Sequence, residues 1–358
     1  TTLSNNSTTL SNNSSSSPCS LSSWIQQFQS AVDQQSSQAS CDQTNSPLID
    51  IMKEICLSTE SSEGIDALFA SSASIDTDLS KLVMLLDQHL QFALHQDCFS
   101  VRFCRYLVNS LVYLFRSPKI AMLISRPVLS TLVAHIVGEL CNHSFYQKLP
   151  EGKYFQKALN LVLLKVLDHC ENQTVFFILL TLLRERSVAL LKNSSTHQQA
   201  YLDLVLKCLL TRIKILPKLL PSIRLDLVLL DVHKFFEECP PRQWDQNYTM
   251  PLKTIRSFLN ELIRIDAKKV AQSLNLVKQQ SSREQQPMIL AYIYSRIREQ
   301  NVDVGIEKVE EKPSSTAQSY LQRLNSFKSQ LKQTNSLQVS PSKSSSKLSS
   351  TSSSKLSS

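Results

Sequence analysis

The stretch KCLLTRIKILPKLLPSIRLDLVLLDVHKFF, from Lys207 to Phe236, decides what kind of fold this chain can form. It is dense in leucine and isoleucine, and it contains two prolines and no glycine. Around its start, polar residues recur every three or four positions, at Asp203, Lys207, Thr211 and Lys214. This spacing predicts a helix with one solvated stripe, and the remaining faces must be covered by other helices.

Proline divides this region into successive helices. The Pro217–Pro221 segment ends the first helix, and Ser222 is a suitable N-cap for the second. Pro240-Pro241 ends the second helix, and Pro251 begins a third. The same texture upstream predicts about ten helices in all, joined by short polar turns. The predicted apolar face of the second helix consists of Leu225, Val228, Leu229, Val232 and Phe236.

The composition favours an all-α protein. Only 4 of the 358 residues are glycine, which sheet-rich and nucleotide-binding folds need for turns and phosphate loops. Successive two-faced helices with short links stack as antiparallel pairs, as in a HEAT-like α-solenoid. An irregular helical bundle would produce the same pattern, because no crisp repeat period is visible in the sequence.

The two ends of the chain differ from its middle. Thr1–Ser20 repeats Ser, Thr and Asn, and Pro341–Ser358 is serine with spaced lysines. Neither stretch can bury enough apolar surface to offset the entropy of ordering, so both are predicted to be disordered. We divide the chain into a disordered linker (1–22), a helical domain (23–299), a linker (300–316), a short amphipathic helix (317–333) and a disordered basic tail (334–358).

The amphipathic segment 317–333 has the spacing of a coiled-coil seam. Its apolar residues Tyr320, Leu324, Phe327 and Leu331 repeat at four, three and four positions. A helix this short is marginal alone in water, so it needs a partner or the body of the protein. The predicted partner-binding residues are Tyr320, Leu321, Arg323, Leu324, Phe327 and Leu331.

Positive charge is concentrated at the C-terminal end. The chain has a net charge of +8, and the region from Pro313 onward holds six basic residues and no acidic one, which leaves +2 for the rest. A flexible basic tail is attracted to a polyanion, such as the acidic surface of a polymer. Nucleic acid is a poorer candidate, because no aromatic residues alternate with the lysines for base stacking. The tail lysines are Lys328, Lys332, Lys343, Lys347 and Lys355.

No catalytic or ligand-binding motif is visible. The sequence has no Gly-rich phosphate loop, no H-E-x-x-H, no G-x-S-x-G and no Cys/His cluster. Its 9 cysteines form no C-x-x-C pair, which is typical of reduced cytosolic thiols in a core. The longest apolar run, Val175–Leu183, is far shorter than the roughly 20 residues of a membrane span. We therefore predict no enzymatic activity, cofactor, metal or membrane contact, and structural roles for His89, His95, His135, His143 and His169.

Two groups of basic residues could form positive patches. In a solenoid, basic residues in the turns along one edge can meet an acidic partner, although charges at helical spacing are more often just a solvated face. Asp226 and Asp231 are interpreted as a capping and a surface aspartate. The two basic groups are Arg102, Arg105, Arg116 and Lys119, and Lys207, Arg212, Lys214 and Lys218.

Three ordered blocks resemble the C-terminal helical region of the ch-TOG and mini spindles family of TOG-domain microtubule polymerases. They are Lys157–Leu183, Leu206–Phe236 and Met250–Val270. The late SYLQRL segment, Ser319–Leu324, is similar to a short segment near the family's C-terminus. In the second block the shared residues are Lys207, Cys208, Leu209, Arg212, Leu216, Pro217, Ile223, Leu225, Asp226, Leu229, Leu230, Asp231, His233 and Phe235. In the third they are Pro251, Lys253, Thr254, Arg256, Leu259 and Leu262.

This resemblance implies a divergent, TOG-like array of HEAT-type repeats from the C-terminal part of a longer microtubule regulator. It implies a role in plus-end growth and spindle organisation, and a cytoplasmic and cytoskeletal location at spindle poles, centrosomes and kinetochores. The implied partners are tubulin and the acidic coiled-coil TACC proteins. Trp24 and Trp244 do not match the tryptophan that ordinary TOG domains use on tubulin, so no tubulin-contact residue is transferred.

The sequence also departs from the family in one respect. The family places a small helical bundle before the SYLQRL-like segment and uses it to bind TACC proteins, whereas only Gln300–Ser315 lies there in this chain. The alternative to a microtubule function is a generic HEAT-type protein-interaction scaffold. The two alternatives differ in whether the chain binds polymerised tubulin.

Overall fold

A computed structural model of the chain describes residues 20–35, 46–94, 100–142, 146–147, 151–193, 195–244, 248–280 and 287–300. Within these ranges every regular element is helical, with fifteen α-helices and two short 3-10 helices. The predicted all-α class is therefore confirmed. None of the described helices combines the length and apolarity that crossing a bilayer requires.

The N-terminal part of the array contains seven helices. They are α1 (Leu21–Gln35), α2 (Ser46–Glu60), α3 (Ser62–Ala70), α4 (Ile75–Leu94), α5 (Val101–Arg116), α6 (Pro118–Ala121) and α7 (Arg126–Leu140). The C-terminal part contains α8 (Gly152–His169), α9 (Asn172–Lys192), α10 (Thr196–Lys214), α11 (Leu216–Leu219), α12 (Leu225–Glu238), α13 (Met250–Gln272), α14 (Asn275–Gln280) and α15 (Met288–Glu299). The 3-10 helices are Leu220–Ser222 and Pro241–Gln243.

The long helices form successive pairs of a first and a second helix, α2 and α4, α5 and α7, α8 and α9, and α10 and α12. Each second helix packs on the first helix of the next pair, α4 on α5, α7 on α8, and α9 on α10. The first helices pack side by side, α2 on α5, α5 on α8, and α10 on α13. The second helices form a parallel series, α4 on α7, α7 on α9, and α9 on α12. This stacking of neighbouring pairs is that of a HEAT-like α-solenoid rather than an irregular bundle.

The stretch Lys207–Phe236 folds largely as its spacing predicts. The predicted apolar face of α12 is buried, with no member more than 5% exposed. On α10, Lys207, Thr211 and Lys214 are exposed as predicted, whereas Asp203 is half-buried and accepts a hydrogen bond from the Tyr248 hydroxyl at 2.9 Å. The helix ends before Pro217, and Pro251 lies in the first turn of α13.

The predicted N-cap of α12 is wrong. Ser222 belongs to the 3-10 helix that precedes α12, and its hydroxyl donates to the Leu219 carbonyl at 2.8 Å. Arg224 occupies the N-cap position instead and makes no capping hydrogen bond with its side chain. A second proline-containing turn therefore separates α10 from α12, where the sequence suggested a simple break.

Helix α13 is interrupted near its C-terminal end. Asp266 has φ −156° and ψ 84°, which lie outside the helical region. Its carboxylate accepts a hydrogen bond from the Lys269 backbone N–H at 2.9 Å, so Asp266 starts the final helical segment as a cap would. Beyond the break, α15 packs on both α12 and α13, and α14 packs on α12.

The first residue of α8 must be glycine. A Cβ at Gly152 would lie 2.0 Å from the Tyr146 carbonyl oxygen, a distance that requires the backbone to move. A Cβ at Gly138 within α7 would make an ordinary contact, 3.8 Å from the Tyr201 ring. The two glycines thus form a matched pair in neighbouring helices.

We expect Gly152→Ala to lower the free energy of unfolding by about 1–3 kcal/mol, because it overpacks a backbone contact. Gly138→Ala should be neutral or raise it by up to about 1 kcal/mol, because alanine favours a helix interior. Urea titration followed by circular dichroism measures both. Equal effects of the two substitutions would contradict the close approach at Gly152.

Candidate functional site

The residues predicted to bind a partner lie outside the described residues. This holds for Tyr320, Leu321, Arg323, Leu324, Phe327 and Leu331, and for the tail lysines Lys328, Lys332, Lys343, Lys347 and Lys355. They stay predictions. The candidate surface within the array is the edge that carries the turns between paired helices, at residues 61–74, 117–125, 170–171 and 215–224, which we call the turn edge.

Hydrogen bonds and ion pairs connect neighbouring turns along the turn edge. Lys119 Nζ lies 3.0 Å from Asp66 Oδ1, which joins the first two turns. His169 Nδ1 lies 2.7 Å from the Phe115 carbonyl oxygen, which joins the end of α8 to the end of α5. The backbone N–H of Ser125 donates to the Ser80 hydroxyl at 2.8 Å. The turn edge is therefore held together by polar contacts as well as by the core beneath it.

The start of α9 fixes the last of these turns. Asn172 donates to the Ser222 hydroxyl at 2.9 Å, and the Gln173 side-chain oxygen accepts from the Arg224 backbone N–H at 2.8 Å. Asn172 also accepts a hydrogen bond from the Arg212 guanidinium. One asparagine thus bridges the end of α10 and the 3-10 helix that follows it.

Arg212 is not part of a basic patch. Its side chain is only 3% exposed, and its guanidinium reaches Asn172 from inside the array. Burial lowers the pKa of Arg212, and the nearby Asp168 carboxylate opposes that effect. The prediction that Arg212 lies on a surface is therefore wrong. Arg212 therefore has a structural role, because its buried guanidinium links α10 to Asp168 on α8 and Asn172 on α9, some forty residues away in sequence.

The first predicted basic group does not form a single patch, because its arginines are spread along the whole of α5. Arg102 lies at its start and Arg116 at its end, about 21 Å apart at 1.5 Å per residue. Arg105 forms an ion pair with Glu151, and Lys119 forms one with Asp66. In the second group, Lys214 and Lys218 are exposed at the turn edge. The exposed cations in the turn edge or next to it are Arg116, Lys119, Arg126, Lys214, Lys218 and Arg224.

The two aspartates of α12 differ from their interpretation. Asp226 lies in the first turn and accepts a hydrogen bond from Arg224 at 2.9 Å, which holds its pKa below the usual range. Asp231 is not a surface residue, because only 11% of its side chain is exposed. Burial raises the pKa of Asp231, and Lys234 at 3.6 Å opposes that effect.

The histidines lie at packing contacts. His89 sits between the rings of Phe28 and Phe103, and its Nε2 lies 3.3 Å from the Phe28 carbonyl oxygen. Burial lowers the pKa of His89, which favours the neutral ring. His135 Nδ1 lies 2.7 Å from Asp87 Oδ1, and this contact joins α7 to α4 in the core. Across the described part of the chain, no group of three or more His, Cys, Asp or Glu side chains is arranged to hold a metal ion.

The buried cysteines are thiols at neutral pH. Burial raises the pKa of Cys104, Cys170 and Cys239 to about 12, and that of Cys208 to about 11. A thiol with so high a pKa is a poor nucleophile, because the thiolate is the reactive form. These cysteines behave as small core residues.

Most residues of the family resemblance are buried. In the second block, Ile223, Leu225 and Phe235 are at most 7% exposed, and His233 is 4% exposed. In the third, Thr254 is 3% exposed, and Leu259 and Leu262 are fully buried. Most of the shared residues therefore specify how the helices pack, whereas Lys207 and Lys253 are exposed.

We expect Asn172→Ala to lower the free energy of unfolding by about 1–3 kcal/mol, because it leaves the buried Arg212 without its acceptor. Asn160→Ala, on the exposed side of α8, should change it by less than about 0.5 kcal/mol. Chemical denaturation of both variants checks this expectation. A loss at Asn160 as large as that at Asn172 would show that the bridge contributes nothing specific.

Part of the chain is similar to three known proteins. The chain is 28% identical to the MOR1 protein of Arabidopsis thaliana over 203 residues, which cover 54% of this chain and 10% of that protein. It is 27% identical to MOR1 of Oryza sativa subsp. japonica over 227 residues, covering 61% and 11%. It is 26% identical to the mini spindles protein of Drosophila melanogaster over 148 residues, covering 40% and 7%.

No family model matches the chain, and no solved structure matches it. The matched region spans about a tenth of the length of the curated MOR1 relatives. The paired-helix stacking, the buried residues of the three blocks and these similarities agree with one another. The helical array is therefore similar to a short region of MOR1 and of mini spindles, as the resemblance of the three blocks implies.

Proposed function

We propose that this chain is a docking and targeting module of a microtubule-associated protein that regulates plus-end growth and spindle organisation. The similarity to MOR1 over 203 residues, on a HEAT-like array, is the observation that carries the proposal. The role is non-catalytic. A stacked array of helix pairs offers an extended surface for binding, which suits a docking function.

The proposed partner is the acidic surface of polymerised tubulin. Arg116, Lys214 and Lys218 are exposed at the turn edge and have no ion-pair partner among the described residues. The region from Pro313 onward, with its six basic residues, would add to this attraction. Attraction of this kind is long-ranged and weak, and salt screens it within about 8–10 Å at physiological ionic strength.

The proposed location follows from the same family. We place the protein in the cytoplasm on the cytoskeleton, with spindle poles, centrosomes and kinetochores as its mitotic positions. The array would supply the rigid body of the module, and the tail would supply a flexible cationic arm.

Co-sedimentation with polymerised tubulin across a salt series tests the function. We expect the full chain to pellet at about 50 mM salt and to be released at a few hundred millimolar, because the attraction is electrostatic. Lys214→Glu with Lys218→Glu should weaken pelleting. The control pair, Lys192→Glu with Lys253→Glu, changes the net charge by the same amount. Both lysines lie at helix ends away from the turn edge, so this pair should weaken pelleting less.

Two results would contradict this function. Absence of pelleting at every salt concentration would favour a generic HEAT-type scaffold. An equal loss with both charge-reversal pairs would show that net charge, rather than the turn edge, governs binding.

We further propose that segment 317–333 joins an acidic coiled coil of the TACC type. Support comes from the four-three-four spacing of Tyr320, Leu324, Phe327 and Leu331. Leu324→Glu with Leu331→Glu should abolish capture of such a partner in a pull-down, because it places charge in the seam. Ser326→Glu with Ser329→Glu, outside the seam, is the matched control. Unchanged capture by the Leu324 and Leu331 variant would remove this proposal.

A further inference from the structure

Helix α8 has apolar side chains on a side that the array leaves uncovered. Tyr154 is 55% exposed, Leu161 41% and Leu164 43%. They are seven and three residues apart, so they share one side of the helix and span about 15 Å. We call this side, with its charged neighbours, the α8 face.

The core does not account for these side chains. The opposite side of α8 already buries Phe155, Leu159, Val162, Leu163 and Val166 against the neighbouring helices. Single exposed apolar residues are ordinary on a protein surface. Here, three exposed apolar residues share one side of α8, and the other side of α8 is already apolar and buried. They form a second apolar stripe, which a further helix could cover.

The α8 face is also basic. Lys153 and Lys157 are exposed beside the apolar residues, and Lys165 is half-buried. On the adjacent helix α5, the Arg105 guanidinium lies 5.6 Å from the centre of the Tyr154 ring, so the face continues onto α5. Within the described ranges, the three lysines have no ion-pair partner, whereas Arg105 pairs with Glu151. Positive charge thus flanks the apolar stripe and outnumbers the two carboxylates, Glu151 and Asp168, at the ends of α8.

We propose that the α8 face binds an acidic amphipathic helix of another protein. Such a helix would place apolar side chains, spaced three and four residues apart, on Leu161 and Leu164, and its flanking carboxylates beside Lys153, Lys157 and Lys165. In this mode of binding, apolar side chains one and two turns apart on the bound helix contact the apolar surface of its partner. Charge complementarity selects an acidic partner and orients it.

Two other occupants are disfavoured. A second copy of this chain would bring two cationic faces together, which repel each other. An anionic membrane is disfavoured because α8 is fixed in a row of helices, which limits how deeply its apolar side chains can penetrate. The inference does not depend on tubulin binding, and its test contains no tubulin.

The test uses the full chain and a fluorescent synthetic peptide of about 18 residues, with leucines spaced three and four apart and glutamates on both flanks. A scrambled peptide of the same composition is the matched probe. Fluorescence anisotropy should show saturable binding of the amphipathic peptide, and binding of the scrambled peptide at least about tenfold weaker. Leu161→Ser with Leu164→Ser should weaken binding at least about fivefold, because these side chains lose apolar contact.

Lys157→Glu should weaken binding by a similar factor without altering the apolar stripe. Met84→Ser with Phe92→Ser removes two exposed apolar residues of α4, which are 39% and 45% exposed, and should leave affinity unchanged. All four side chains replaced by serine are exposed, so thermal melts should stay close to that of the parent chain. If the double variant of α8 fails to fold, Lys157→Glu alone decides the question.

Four results would overturn the proposal. They are no saturable binding, equal binding of the scrambled peptide, binding that neither α8 variant weakens, and an equal loss in the α4 control. Binding to phosphatidylserine vesicles that requires Leu161 and Leu164, in place of peptide binding, would assign the face to a membrane. Dimers in light scattering that the same variants dissociate would assign it to a second copy.

Discussion

Each helix pair in this protein buries an apolar surface that only the neighbouring pairs can cover. The helices α4, α7, α9 and α12 form one continuous series of contacts, and α2, α5 and α8 form another beside it. Because contacts run mainly between neighbours, stability accumulates along the array rather than in one central core. This constraint explains why the sequence is so rich in leucine and isoleucine and can do with so little glycine.

Polar contacts set how the pairs align. Apolar surfaces attract without direction, so they allow neighbouring helices to slide. Directional bonds remove that freedom at the turns. Asn172 ties α9 to Arg212 and Ser222, and His169 ties α8 to the end of α5. The buried contact between His135 and Asp87 does the same for α7 and α4 in the interior. These few hydrogen bonds and ion pairs fix how neighbouring helices are aligned along their lengths, which apolar burial alone leaves undetermined.

The spacing of residues along the sequence predicted those features that depend on residues close together in the chain. The apolar face of α12 and the breaks at Pro217 and Pro251 follow from periodicity and from the geometry of proline, and all are confirmed. The burial of Arg212 and Asp231 could not be predicted, because it depends on residues forty or more positions away. Hydropathy alone also could not separate Leu161 and Leu164 from the buried leucines of α8, since all of them are equally apolar. Most residues that carry the resemblance are buried, so the resemblance reports how the helices pack.

The interruption of α13 at Asp266 lies near the C-terminal end of the described helices. In a repeat array, a helix that packs on a single neighbour can unfold locally at a low cost in free energy. Here the chain folds back, so that α15 is fastened to both α12 and α13. Among the described helices, separating α15 therefore breaks contacts with two neighbours, which costs more free energy than separating a helix that packs on one.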